Sequence, residues 1–90
     1  MARHLSAMKR ARQNEKRRLR NQSRKTRIKN VVRQVRQAVA QKNTEEAQAA
    51  LQSAIPVIAR TAVKGTLHWR AAARKISRLT RQVNALKAAE

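Results

Sequence analysis

Twelve lysines or arginines and a single glutamate occupy the first 29 residues of this chain. Apart from Met1, the large apolar residues before Ile28 are only Leu5, Met8 and Leu19. Such a stretch has nothing to bury, so it cannot join a hydrophobic core, and its like charges oppose compaction. The remainder must supply the whole fold. A chain of 90 residues then has room for one domain with a modest core.

That remainder reads as helix. There is one glycine and one proline, strong helix formers abound, and no run alternates with the period of a strand. Helix 1 is expected from about Ser6, as N-cap, to about Lys42, a length of ~55 Å at the α-helical rise. Its second half carries Ile28, Val31, Val32, Val35 and Val39 on one face. Asn43-Thr44 breaks the pattern, and Thr44 is expected to cap helix 2, with Glu45 and Glu46 at the positive end of its dipole. Helix 2 runs to about Lys64, with Ala47, Leu51, Ala54, Ile55, Ile58 and Ala62 inward. Pro56 predicts a kink near Gln52 to Ile55, or alternatively a break into two short helices. Gly65 is placed as the left-handed residue ending helix 2, and Thr66 as the cap of helix 3. Helix 3 runs to about Ala88 with Ala72, Ile76, Leu79, Val83 and Leu86 along an inner seam. The expectation is an all-α fold, an antiparallel three-helix bundle. Residues 28–90 would form the bundle and residues 1–27 a projecting basic arm.

The net charge of +19, from 23 basic and four acidic residues, favours a polyanionic partner. The acids are Glu15, Glu45, Glu46 and Glu90, and Asp and Cys are absent. No carboxylate pair for acid–base work, no thiol nucleophile and no thiolate zinc site is therefore expected, and no cofactor. No apolar run suits a membrane span, and the start lacks the apolar segment of a secretory leader. An arginine-rich, acid-poor start imitates an organellar transit peptide, but the basic pattern continues well beyond any removable leader.

On a helical wheel the cations encircle the arm. Lys9, Arg20 and Arg27 lie together, and Arg10 and Arg17 a quarter turn away. Arg18 and Lys25 lie opposite, with Lys16 and Arg12 on the remaining flank. A membrane-surface helix needs an apolar face, which is lacking here. Charge on every side suits a helix set among phosphates from several directions, as in folded RNA. The candidate contacts in the arm are these residues with Arg3, Arg24, Asn21 and Ser23; Gln13, Asn14, Gln22 and Thr26 are further donors to phosphate or sugar. Because like charges at i,i+4 repel, the arm is expected to order on binding. Helix 3 carries a second basic stripe of Arg70, Arg74, Arg78 and Arg81, with Lys75 at its edge. Helix 2, the least basic, is expected to face away from the partner.

His68 has no carboxylate, cysteine or nearby histidine to make it a ligand or catalytic base. It is better read as a hydrogen-bonding group to RNA or at a helix start. His4 reads as a solvated side chain. Trp69, the one aromatic residue, either packs on the bundle end or stacks on a base or sugar. A sheet-type RNA reader is excluded for want of strand aromatics. A basic zipper is excluded because the apolar run after the arm is too short for ~3–4 heptads.

The run Ser6-Ala7-Met8-Lys9-Arg10-Ala11-Arg12-Gln13-Asn14-Glu15-Lys16-Arg17-Arg18, followed by Asn21 and Ser23-Arg24, resembles the first signature of the bacterial small-subunit ribosomal proteins numbered twenty. Ala62-Val63-Lys64-Gly65-Thr66-Leu67-His68, then Ala72-Ala73-Arg74-Lys75 and Ser77-Arg78-Leu79, resembles the second. The chain departs from the family pattern at Trp69-Arg70, where Lys-Asn is common, and at Ile76, where a second lysine is frequent. The resemblance implies a non-enzymatic, cytoplasmic protein of the small ribosomal subunit. It would bind 16S ribosomal RNA directly, bridging the 5′ domain and the 3′ minor domain, and stabilise RNA folding and assembly. It also adds Lys64, Gly65 and His68 to the candidate contacts. A histone-like architectural DNA-binding protein is the alternative.

Overall fold

The computed structural model describes residues 2–89, with side chains from His4 onward. Three helices follow one another: α1 (Ala2–Ala40), α2 (Thr44–Val63) and α3 (Trp69–Ala88). No strand occurs among the described residues, and the fold is an all-α three-helix bundle. No helix among them is long and apolar enough to cross a membrane.

The helix starts differ from the sequence expectations in instructive ways. α1 already includes Ala2, so Ser6 lies inside it and caps nothing; the residues before Ser6 contain no breaker that would force a later start. Asn43, not Thr44, caps α2: its side-chain oxygen accepts from the Glu46 backbone N–H at 3.2 Å. Asn and Thr are both good caps, and here the chain turns one residue earlier. His68, not Thr66, caps α3: Nδ1 accepts from the Arg70 N–H at 3.1 Å. Thr66 is engaged elsewhere.

Both turns close by the same six-to-one geometry. After α1, Lys42 N–H donates to the Val39 carbonyl and Asn43 N–H to that of Ala38, each at 3.0 Å. After α2, Gly65 N–H donates to Ala62 at 3.0 Å and Thr66 N–H to Thr61 at 3.2 Å. This pairing requires a left-handed residue at the turn. Gly65 meets that need at φ 80°; Lys42 meets it at φ 56° despite its side chain. An added Cβ at Gly65 would meet nothing within 4 Å, so the glycine answers to backbone angle rather than to space. Pro56 lies within α2, which runs through it unbroken; the two-helix alternative is not realised.

The core is small. Ile28, Val35 and Ala38 of α1 meet Ala47, Ala54 and Ile58 of α2 and Ala72, Leu79 and Val83 of α3. The many alanines let the helices approach closely where few large side chains are available. Thr61 is also buried, its hydroxyl donating to the Val57 carbonyl at 2.8 Å. α2 is the middle helix, and α1 and α3 touch each other least. The first buried residue of α1 is Ile28, and residues 4–23 are all exposed. The Cα radius of gyration is 18.0 Å, against about 12 Å for a compact domain of this length. The excess is the exposed half of α1, which extends the long axis to 69 Å.

Candidate nucleic-acid interface

The basic surface begins with the exposed half of α1. Lys9, Arg10, Arg12, Lys16, Arg17, Arg18 and Arg20 project from a helix that no other element covers. Leu5, Met8 and Leu19 are 66, 43 and 52 % exposed, scattered among the cations rather than forming an apolar face. The side chain of Arg3 lies outside those described.

One carboxylate interrupts this field. Glu15 accepts from Arg18 through both fork nitrogens, at 2.7 Å from Nη2 and 3.1 Å from Nε. It is the one ion pair among the described residues. The hydrogen bond, and then the charge, of Arg18 hold the Glu15 carboxyl below the usual carboxylate range. The same pair raises Arg18.

At the root of the arm the side chains take on structural work. Arg24 Nη1 donates to the Thr66 hydroxyl at 3.1 Å, with a longer 3.5 Å contact to Asn21 Oδ1. The Thr66 hydroxyl donates in turn to Asn21 Oδ1 at 3.0 Å. Two candidate contacts, Asn21 and Arg24, thus clamp α1 to the turn between α2 and α3. Ser23, Lys25 and Arg27 remain exposed beside them.

On the other side of that turn, Arg24 and Arg27 of α1 face Arg60 and Lys64 across a cleft of about 170 Å³, with Val57 and Thr61 as its remaining walls. Arg60, the one cation within α2, and Lys64, its C-cap, therefore stand beside the cations of α1. Arg60 was not among the sequence candidates. Its neighbours in sequence, Ala59 and Thr61, give no charge pattern, and only the packing of α2 on α1 reveals its position.

A second recess lies along α1 and is closed on one side by Lys75 of α3. Ile28, Val32 and Ala40 contribute apolar surface, while Lys29, Arg33, Arg36 and Lys75 bring cations from both helices. Of these cations the sequence candidates included Lys75 alone. The others follow Ile28 on α1 and were legible only as positions off the inner face.

The remaining candidates lie at and beyond the turn. Gly65 donates its N–H into the helix closure, and His68 caps α3. Trp69 is 64 % exposed and does not pack on the bundle end. Its ring stacks with that of His68 at a centroid separation of 5.8 Å, and the Arg70 guanidinium lies 5.3 Å from its centroid. Arg70, Arg74, Lys75 and Arg78 are exposed along α3, with Arg70 and Arg74 opposite Leu79 and Lys75 at the edge facing α1. Among the described residues no group of three His, Cys, Asp or Glu could hold a metal ion.

Comparison with known proteins places this arrangement. The profile described as Ribosomal protein S20 matches residues 2–84. A "Small ribosomal subunit protein bS20" of Trichlorobacter lovleyi is 54 % identical over 86 residues, covering 96 % of this chain and 99 % of the relative. The protein of that name in Syntrophus aciditrophicus is 54 % identical over 85 residues, covering 94 % of this chain and 96 % of the relative. That in Nitratidesulfovibrio vulgaris is 53 % identical over 87 residues, with 97 % and 100 % covered.

Proposed function

Because the chain belongs to the ribosomal protein S20 family, we propose that it is a structural component of the small ribosomal subunit. It binds 16S ribosomal RNA directly and stabilises the folding and assembly of that RNA. It acts in the cytoplasm, within the ribosome, and performs no catalysis. Residues 1–27 serve as a basic arm and residues 28–90 as the bundle of one RNA-binding domain. The partner regions are the 5′ domain and the 3′ minor domain.

The observation that carries this reading is the exposure of cations around the arm with no element covering them. Phosphates of a folded RNA approach a helix from several directions, whereas a flat polyanion needs only one basic face. Each Lys or Arg set on a phosphate releases condensed counterions, so the free energy comes largely from the salt solution. Such contacts position the protein but carry no sequence information directly. Selectivity then comes from shape: the angle between the arm and the bundle must match the crevices of the RNA. The basic stripe of α3 holds the bundle against the backbone while its other face is committed to the core.

The test is binding of the full chain to a folded 16S fragment holding the 5′ domain, and to duplex DNA of equal length, across a salt series. RNA binding that stays tight at physiological salt while DNA binding is lost supports the reading. Coincident curves overturn it and leave a general polyanion binder.

A further inference from the structure

We infer that the cleft between α1 and the end of α2 is a discrete seat for RNA backbone phosphates, with Arg24, Arg27, Arg60 and Lys64 as its ligands. The inference rests on the RNA-binding reading above and adds to it a specific site and a new contact residue, Arg60.

Arg24 and Arg27 of α1, Arg60 of α2 and Lys64 at the C-cap of α2 meet only because the bundle folds. No carboxylate lines the cleft, and the one ion pair among the described residues lies elsewhere, at Glu15 and Arg18. The carbonyl end of α2 offsets part of the charge of Arg60 and Lys64. Nothing comparable offsets Arg24 and Arg27, which lie mid-helix. Four positive groups converging on one recess repel one another until an anion enters. The Thr61 hydroxyl donates to the Val57 carbonyl, and the cleft wall offers no anionic group to balance the four cations.

The recess is also partly organised in advance. Arg24 is held at Nη1 by Thr66 and Asn21, which fixes the direction of its fork before any ligand arrives. Arginine forks match phosphate oxygens two at a time, and a pre-oriented fork loses less freedom on binding. A single carboxylate would leave most of the charge unmatched. Phosphodiesters following one another along a strand supply one negative charge each and fit a cleft walled by cations on two sides. A strand seated here would bind the root of the arm and the end of α2 together, setting the angle at which the arm leaves the bundle.

The experiment compares salt dependence of binding to the folded 16S 5′-domain transcript for three versions of the full chain. One is wild type. One carries Arg60→Gln with Lys64→Gln. The third carries Lys42→Gln with Lys87→Gln, removing the same charge outside the cleft. The cleft variant is expected to lose about two units from the magnitude of the log–log salt slope, and the control less than about half a unit. Arg60→Lys with Lys64→Arg should keep the wild-type slope, because it keeps the charge. Equal losses in both Gln variants, or no loss in the cleft variant, would overturn the seat and leave the RNA-binding reading intact. A wild-type chain that fails to bind the transcript would overturn the reading itself.

Discussion

Arg24 and Thr66 stand 42 positions apart and meet through a 3.1 Å hydrogen bond from guanidinium to hydroxyl. With Asn21 accepting from the same hydroxyl, this bond fastens the root of the arm to the α2–α3 turn. The hydroxyl is both acceptor and donor here, so valine, which has the same shape, removes two hydrogen bonds at once.

Thr66→Val should therefore lower the stability of the bundle by about 1 kcal/mol, the net worth of such bonds at a partly buried site. Urea unfolding followed by circular dichroism measures it. RNA affinity should fall while the salt slope stays at the wild-type value, since no charge is removed. A reduced slope would mean that the clamp acts through charge rather than position.

Lys42 and Gly65 hold the same place in the two turns, and only one of them is a glycine. The left-handed conformation costs an ordinary residue roughly 1 kcal/mol. Lys42→Gly should raise stability by a few tenths of a kcal/mol up to about 1 kcal/mol, after the added freedom of glycine in the unfolded chain is deducted. Gly65→Ala should lower it by about 1 kcal/mol, although the space is open. Matched urea midpoints for the two substitutions decide whether backbone angle alone sets both effects.

Much of the bundle was legible in the sequence because large apolar residues recur at helical spacing. Val35, Ile58, Leu79 and Val83 were expected inside and are buried. Ala38 and Thr61 were not expected there, since a small side chain or a hydroxyl carries little weight in such a pattern. The caps of α2 and α3 were displaced by one or two residues because Asn43, Thr44, Thr66 and His68 can all serve, whereas α1 already includes Ala2 and leaves Ser6 inside it. The tertiary bond from Thr66 to Asn21 is invisible in a local reading. The same limit applies to the basic surface. A wheel shows that cations surround the arm, yet it cannot show that Arg60 turns toward Arg27, because that depends on how α2 is rotated against α1.

The exposed half of α1 has no packing partner from residue 4 to residue 20, and helices without tertiary contacts are marginal in water. Backbone amides in that range should exchange within the dead time of a millisecond-to-second hydrogen-exchange experiment in the free protein. Amides from Val31 to Val39 should be protected by the core. Adding the 16S transcript should protect the arm and raise total helicity. Protection of residues 4–20 without RNA would show that the arm is already stable alone.

Glu15 withdraws Arg18 from the field around it. Glu15→Gln should free the fork for phosphate and steepen the salt slope by up to about one unit. The sign with pH follows from the lowered carboxyl. The pair is intact above the ordinary carboxylate range and is lost as pH falls through the depressed value. Wild type and Glu15→Gln should therefore differ at neutral pH and converge in acid. A shallower slope in the Gln variant would mean that Glu15 orients Arg18 for the RNA instead of competing with it.

Trp69 is exposed beside His68 and Arg70 rather than folded onto the bundle, and the chain contains no other aromatic residue of the Phe, Trp or Tyr type. An exposed indole at the start of a basic helix is suited to stack on a base, a contact worth about 1–3 kcal/mol per base. Stacking on a nucleobase would quench its emission, which reports on this position alone. Titration with the 16S transcript should quench the tryptophan fluorescence, and Trp69→Ala should weaken binding by about that amount while leaving the salt slope unchanged, because stacking releases no counterions. The substitution should barely alter urea stability, since the ring contributes little to the core. A large loss of stability with unchanged RNA affinity would reverse the assignment and make Trp69 a packing residue after all.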